Sequence, residues 1–280
     1  MALGLLSSFA IAQDAPLHVP SGLVAGNSAT IGTNGSGSAT FYLVGPGTSI
    51  KRDIELGKEV SLVAKDLQAA GRYVAVVCSG SCTSQVFFVA PGKPVDLGFI
   101  VHPSRAPVAE SEAISGVALT FDEFRNLVLA PSTLQFQWSA KGSSPMSRSL
   151  QTREGIAWFR TGSGKTAGPL QVSAAIGTDV NTRRVVQQVA SIPCNLRIKG
   201  QRTPKGILVE TEPIHDCSGN PVPDGTVVTF TARNGNRISS VDAPVKQDVA
   251  RATILAKGSV VISAASGVAM GNELRLGGQE

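Results

Sequence analysis

Aromatic residues make up only 5% of this 280-residue sequence and charged residues 16%, and the net charge of +5 is spread without any run of five like signs. A nucleic-acid surface gathers Lys and Arg on one face with aromatic partners, so no nucleic-acid partner is expected. No apolar stretch reaches the 18 residues that a membrane-spanning helix needs, so the chain has no evident membrane span of its own. The three histidines, His18, His102 and His215, lie too far apart to complete a zinc set. His215 adjoins Asp216 and Cys217, but neighbours on a strand face opposite ways and form no dyad by adjacency; His215 reads as a solvent-facing turn residue. No G-x-S-x-G pentapeptide occurs, which removes the common nucleophile elbow. Gly162-Ser163-Gly164-Lys165-Thr166 imitates part of a phosphate loop, but Phe159 stands where its first glycine belongs, and the segment reads as a loop between strands. Asp122, Asp216 and Asp224 stand one or two to a turn, too few for calcium, and read as turn caps. No catalytic, cofactor-binding or metal residue is assigned, and a non-enzymatic chain is expected.

What the sequence has is punctuation and alternation. Thirty Gly and 16 Pro interrupt a chain that is 42% hydrophobic, which disfavours long helices and points to an all-β fold. Residues 116–142 slide onto 210–236 with an offset of 94, placing Asp122 on Asp216, Asn126 on Asn220, Val128 on Val222 and Phe136 on Phe230. Both copies then alternate with period two, in Thr133–Trp138 and Thr226–Thr231, as half-buried strands do. With small gaps the register continues through Gly155–Phe159 against Asp248–Ala252, and Leu170–Ala175 against Val260–Ala265. Earlier strands are expected at Ala39–Val44, Val60–Ala64, Tyr73–Cys78 and Gln85–Val89, at sandwich spacing. Trp138 and Trp158 fall within alternating strands, where core packing is expected. The Pro-bearing joints Phe88–Pro94 and Gln188–Pro193 must leave their sheets, because Pro lacks the ladder donor. Three tandem antiparallel β-sandwich modules are therefore expected, over 15–92, 93–191 and 192–280, with joints short enough for a semi-rigid rod.

Residues 1–12 carry no charge and end Ala10-Ile11-Ala12, a small-x-small cleavage pattern, so they are expected to be a signal peptide. No Lys or Arg precedes the apolar run, so the true start is expected upstream of Met1. Four cysteines in two local pairs, Cys78 with Cys82 and Cys194 with Cys217, fit disulfides in an exported chain. Cys78 and Cys82 bracket Ser79-Gly80-Ser81 between β-rich runs, so a hairpin brings them face to face.

The stretch Asp216-Cys217-Ser218-Gly219-Asn220-Pro221-Val222-Pro223-Asp224-Gly225, followed by Thr226–Phe230, resembles bacterial immunoglobulin-like domains of the invasin and intimin type. The likeness covers about 80 residues; Asp122–Val128 carries a degraded copy without the Gly and Pro positions. Asp66–Tyr73 is similar to the approach to a tyrosine corner of an Ig sandwich. What the resemblance implies is an exported spacer or adhesive module at a bacterial surface, periplasmic or extracellular, whose partner is another surface protein or a glycan. The alternatives are a carbohydrate- or peptide-binding protein and a strand-addition assembly factor. In such a sandwich Cys194 at the start of the last module meets Cys217, and closing that 24-residue loop is worth about 3 kcal/mol. The middle module has no cysteine and is expected to hold the same place by packing around Phe121 and Phe124.

Overall fold

The computed structural model describes residues 17–277, so the expected signal peptide over 1–12 lies outside the described residues. Every regular element in it is a strand except one 3-10 turn at Ala64–Leu67. The chain gathers into two compact units. The first comprises the described residues up to Gly98 with Leu119–Ser132 and Gln151–Ile156; the second comprises Phe99–Ala118, Thr133–Leu150 and the described residues from Ala157 onward.

In the first unit, strands Leu17–His18, Ala29–Thr33 and Val60–Leu62 form one sheet. A second sheet is ordered Thr48–Glu55, Ser38–Gly45, Gly71–Ser79, Ser81–Val89. Alternation decides the faces: Ala39, Phe41 and Leu43 of one strand and Tyr73, Ala75 and Val77 of its neighbour point inward and are buried. They pack with Leu17, Ile31, Leu62, Leu67 and Phe87 into a single core. Tyr73 is fully buried, its ring stacked on Phe87 at 5.4 Å, and its hydroxyl donates to the Ala69 carbonyl at 2.8 Å, which is the bond of a tyrosine corner. Gly45 leaves the room this ring needs, since a Cβ there meets it at 2.2 Å. At the hairpin tip Cys78 faces Cys82 in the ladder and is bonded to it, with Cα atoms 4.1 Å apart.

The strand Thr48–Glu55 was not anticipated. Its only large apolar residues, Ile50 and Ile54, are half-buried, and Lys51, Arg52, Asp53 and Glu55 fill most other positions. It is an edge strand placed by pairing Gly45 with Thr48 across the Pro46-Gly47 turn, and its charges blunt an open edge.

The second unit holds two apolar centres. Phe136 lies 4.8 Å from Phe159 and 6.0 Å from Phe99, and Trp138 stacks on Phe159 at 5.4 Å. Here strands run in the order Met146–Gln151, Thr133–Ala140, Gly168–Ile176, Val180–Val189, with Arg105–Pro107 added in parallel. The other centre runs from Leu196 to Ala264 around Phe230, Val209, Val245 and Ile262. Phe136 pairs with Ala174 in its ladder, and Phe230 pairs with Ala264 in its own, so residues matched within the sequence occupy matching sheet positions.

Trp158 departs from expectation: it is 64% exposed, while Ala157 and Phe159 on either side are buried. With a period of two, Phe159 inside forces Trp158 outside. Its sequence counterpart, Arg251, already marked the position as outward-facing.

The tyrosine corner gives a direct test. Tyr73→Phe keeps the ring but strips the Ala69 carbonyl of its partner, so urea denaturation should show a loss of about 1–2 kcal/mol with an unchanged m-value.

Candidate functional site at two recurring turns

Asp122 and Asp216 head two turns built alike. Asp122 Oδ1 accepts the amides of Phe124 and Asn126, at 3.0 and 2.8 Å. Asp216 Oδ1 accepts those of Ser218 and Asn220, at 2.8 and 2.9 Å. These are Asx turns, which short acidic side chains form because they reach amides two and four residues on. The main chain closes each loop identically: the Asp122 and Asp216 amides donate to the Asn126 and Asn220 carbonyls, and Val128 and Val222 donate to Thr120 and Ile214. Both valines are buried.

The second carboxylate oxygen does something else in each turn. Asp122 Oδ2 accepts the amide of Gly92 at 2.9 Å, and Asp216 Oδ2 accepts that of Ser191 at 2.9 Å, each lying in the Pro-bearing segment upstream. The asparagines reach further. Asn126 receives the Ala70 amide on Oδ1 and donates from Nδ2 to the Gln68 carbonyl, both at 2.8 Å. Asn220 receives the Ala167 amide and donates to the Lys165 carbonyl, again both at 2.8 Å. Each asparagine thus bonds like one peptide unit to a segment 50 to 60 residues upstream, and each Nδ2 also steadies its own aspartate.

Both carboxylates are buried, at 1% and 4% exposure. Burial pushes their pKa up, but the bonds from Asn126, Gly92 and Phe124 hold Asp122 below the usual carboxylate range. Those from Ser191, Asn220 and Ser218 do the same for Asp216. Asp224 is different. Rather than capping its own turn, it accepts the amide of Gln247 at 2.9 Å, on the loop between strands Arg237–Lys246 and Val249–Ile254.

The turns diverge in what reinforces them. Cys217 follows Asp216 and is bonded to Cys194 with Cα atoms 4.8 Å apart, within disulfide reach. Strand Pro193–Asn195 pairs with His215–Asp216 at the same place, so half-exposed His215 sits on a short strand rather than in the turn. In the other turn the expected packing around Phe121 and Phe124 takes a different form. Phe124 packs against the Leu17–Val89 core. Gly26, at φ +80°, accommodates it; a Cβ there falls 2.1 Å from the ring. Phe121 instead lies under the Arg125 guanidinium, 5.2 Å from the ring centre. Arg125 adopts φ +66° at the position where Gly219 has +85°. A left-handed non-glycine costs about 1–2 kcal/mol, offset here by the cation on Phe121 and an ion pair with Asp96. The loop 162–166 lies between strands, as expected, and its role is to offer the Lys165 carbonyl to Asn220. The sequence had aligned Asn126 with Asn220 but gave no sign of what they hold, because their partners lie in unrelated segments.

Paired antiparallel sheets and a tyrosine corner define an immunoglobulin-like β-sandwich fold. Among solved structures the chain is similar to the Escherichia coli adhesin FdeC, at 16% identity and a TM-score of 0.58, over 95% of this chain and 99% of that one. It is likewise similar to invasin, a bacterial integrin-binding protein, at 12% identity and a TM-score of 0.56 over 93% of this chain, which spans 59% of the invasin chain. No protein-family model and no curated protein matches it in sequence.

Asn220→Ala strands the Lys165 carbonyl and Ala167 amide, and Asn126→Ala does the same to Gln68 and Ala70; each should cost about 1–3 kcal/mol in chemical denaturation. The aspartates add a pH signature. Their folded pKa lies below the unfolded value of about 4, so their stabilisation is complete above that pH and is lost as pH falls through the folded value. Between pH 5 and about 2 the wild type should therefore lose more stability than Asp122→Asn/Asp216→Asn. That variant should start less stable at neutral pH. Cys217→Ser should lower the melting temperature of the transition that exposes Phe230 while sparing the one that exposes Tyr73.

Proposed function

We propose that the chain is an exported bacterial surface protein, a string of three Ig-like modules over about 15–92, 93–191 and 192–280, that serves as spacer and adhesive surface rather than as an enzyme. The observation that carries this reading is the repeated turn. Asp122 with Asn126, and Asp216 with Asn220, make the same bonds to the Pro-bearing segment before them and to a loop of the preceding sandwich. A protein that only needed folded beads on a string has no use for such joints. One that must present a surface at a fixed distance does, because each joint removes freedom between neighbours. Two disulfides fit an oxidising compartment, and the likeness to adhesins supports the adhesive part. The segment over 1–12 fits the leader that export requires.

The decisive measurement is made on the source bacterium. Antibody raised against the full chain should label intact cells, the label should vanish after protease shaving, and beads coated with the chain should bind host cells above albumin-coated beads. Recovery of the chain solely from the cytosolic fraction, with reduced cysteines, overturns the reading.

A further inference from the structure

The sandwich built on the Leu196–Ala264 core is electrically polarised along its strands. Ladder registers identify one end: Thr203 pairs with Gly206, Asn234 with Arg237 and Val260 with Leu276. The segments that meet there, 200–208, 231–240, 253–262 and 274–277, contain Arg202, Lys205, Arg233, Arg237, Lys257 and Arg275, with no Asp or Glu and no aromatic residue. Arg275 is the one paired with an acid, Glu273 at 3.4 Å. Apart from Glu273, the acids with assigned partners lie toward the opposite end: Glu210 holds Lys199 and Arg251, and Asp216 and Asp224 accept backbone amides.

The basic end is also built rather than frayed. Arg202 donates to the carbonyls of Gly277, Ala256 and Gly258, and Asn234 to that of Lys257, which ties three loops together. Between residues 202–206 and 255–258 opens a cleft of about 530 Å³ lined by Arg202, Pro204, Leu255 and Ala256 together with the exposed Lys205 and Lys257. A second, of about 410 Å³, lies between Arg233, Ser259 and Arg275. With Arg202 spent on carbonyls, the exposed Lys205, Lys257, Arg233 and Arg237 are the groups left to meet a ligand.

We infer that this end binds a sulfated or carboxylated polysaccharide. Spaced cations over shallow clefts fit an extended polyanion better than a compact one, since each contact releases counterions along the ligand. The absence of aromatics argues against neutral sugars and single-stranded nucleic acid, both of which use stacking platforms. The inference rests on the adhesive reading in its choice of a polysaccharide as the source of the charge, and its failure leaves the cell-labelling experiment untouched.

Full-length chain is titrated with a heparin-derived octasaccharide at about 150 mM salt. Saturable binding is expected, weakened at least about tenfold by Lys205→Glu/Lys257→Glu and by less than about twofold by the charge-matched Arg183→Glu/Arg184→Glu. Both variants are checked for unchanged melting temperature; should the first fail that check, Lys205→Ser/Lys257→Ser replaces it. No binding, equal weakening by the two variants, or equal affinity for a short mixed-sequence DNA duplex overturns the site.

Discussion

The constraint on which the rest depends is that a chain leaving one β-sheet must find partners for the amides that the ladder no longer serves. At two places a single buried carboxylate solves this. One oxygen takes the two amides of its own turn, and the other takes an amide of the segment upstream. A carboxylate suits the task because it is acceptor-only with two equivalent oxygens. An amide in its place offers one acceptor and puts a donor where another donor already points. The ionised form is retained despite burial because charge-assisted bonds from backbone amides are among the stronger ones a carboxylate can make.

Given that shared solution, the differences between the turns become intelligible. One has Gly219 in the left-handed position and a covalent bond, Cys194 to Cys217, that fastens the turn to its incoming strand. The other places Arg125 in the same conformation and recovers the strain through Asp96 and the Phe121 ring, while Phe124 reaches into the Tyr73 core. The same backbone bonds survive in both, so the turn tolerates replacement of residues outside the Asp and Asn. That explains why a degraded copy of the motif still folds into the same shape.

The all-β fold was legible, and so were strands such as those that Phe41, Phe136 and Phe230 mark, because period-two alternation directly reports a half-buried strand. More than half of the 25 strands among the described residues, Ile114–Phe121 and Arg237–Lys246 included, were not anticipated. The tyrosine corner was legible from the resemblance of Asp66–Tyr73 to the approach to such a corner, and the cysteine pairs from spacing and context. The strand Thr48–Glu55 was not, since only Ile50 and Ile54 mark its inner face and the intervening Arg52 breaks the apolar alternation. Trp158 was misread because residue type suggested burial while phase, set by Phe159, decided against it. The Asn126 and Asn220 bonds were invisible for a different reason. Their partners are backbone groups of Gln68, Ala70, Lys165 and Ala167, and backbone groups leave no trace in residue identity. Offset matching located the turns without revealing what they grip.

The same turns bear on the electrostatics of the last sandwich. Its acids are drawn into structural service: Asp216 organises a turn, Asp224 caps the loop at Gln247, and Glu210 is shared between Lys199 and Arg251. Each use fixes a negative charge toward one end of the strands. Lys199 and Arg251 are held by Glu210 and Arg202 is spent on carbonyls, which leaves Lys205, Lys257, Arg233 and Arg237 without an acid at the other end among the described residues. The chain's modest net charge of +5 therefore conceals a local field. Such a field, unlike net charge, has a direction and can orient an approaching ligand. Folding requirements at one end of the sandwich thus leave the other end with its surface chemistry unspent.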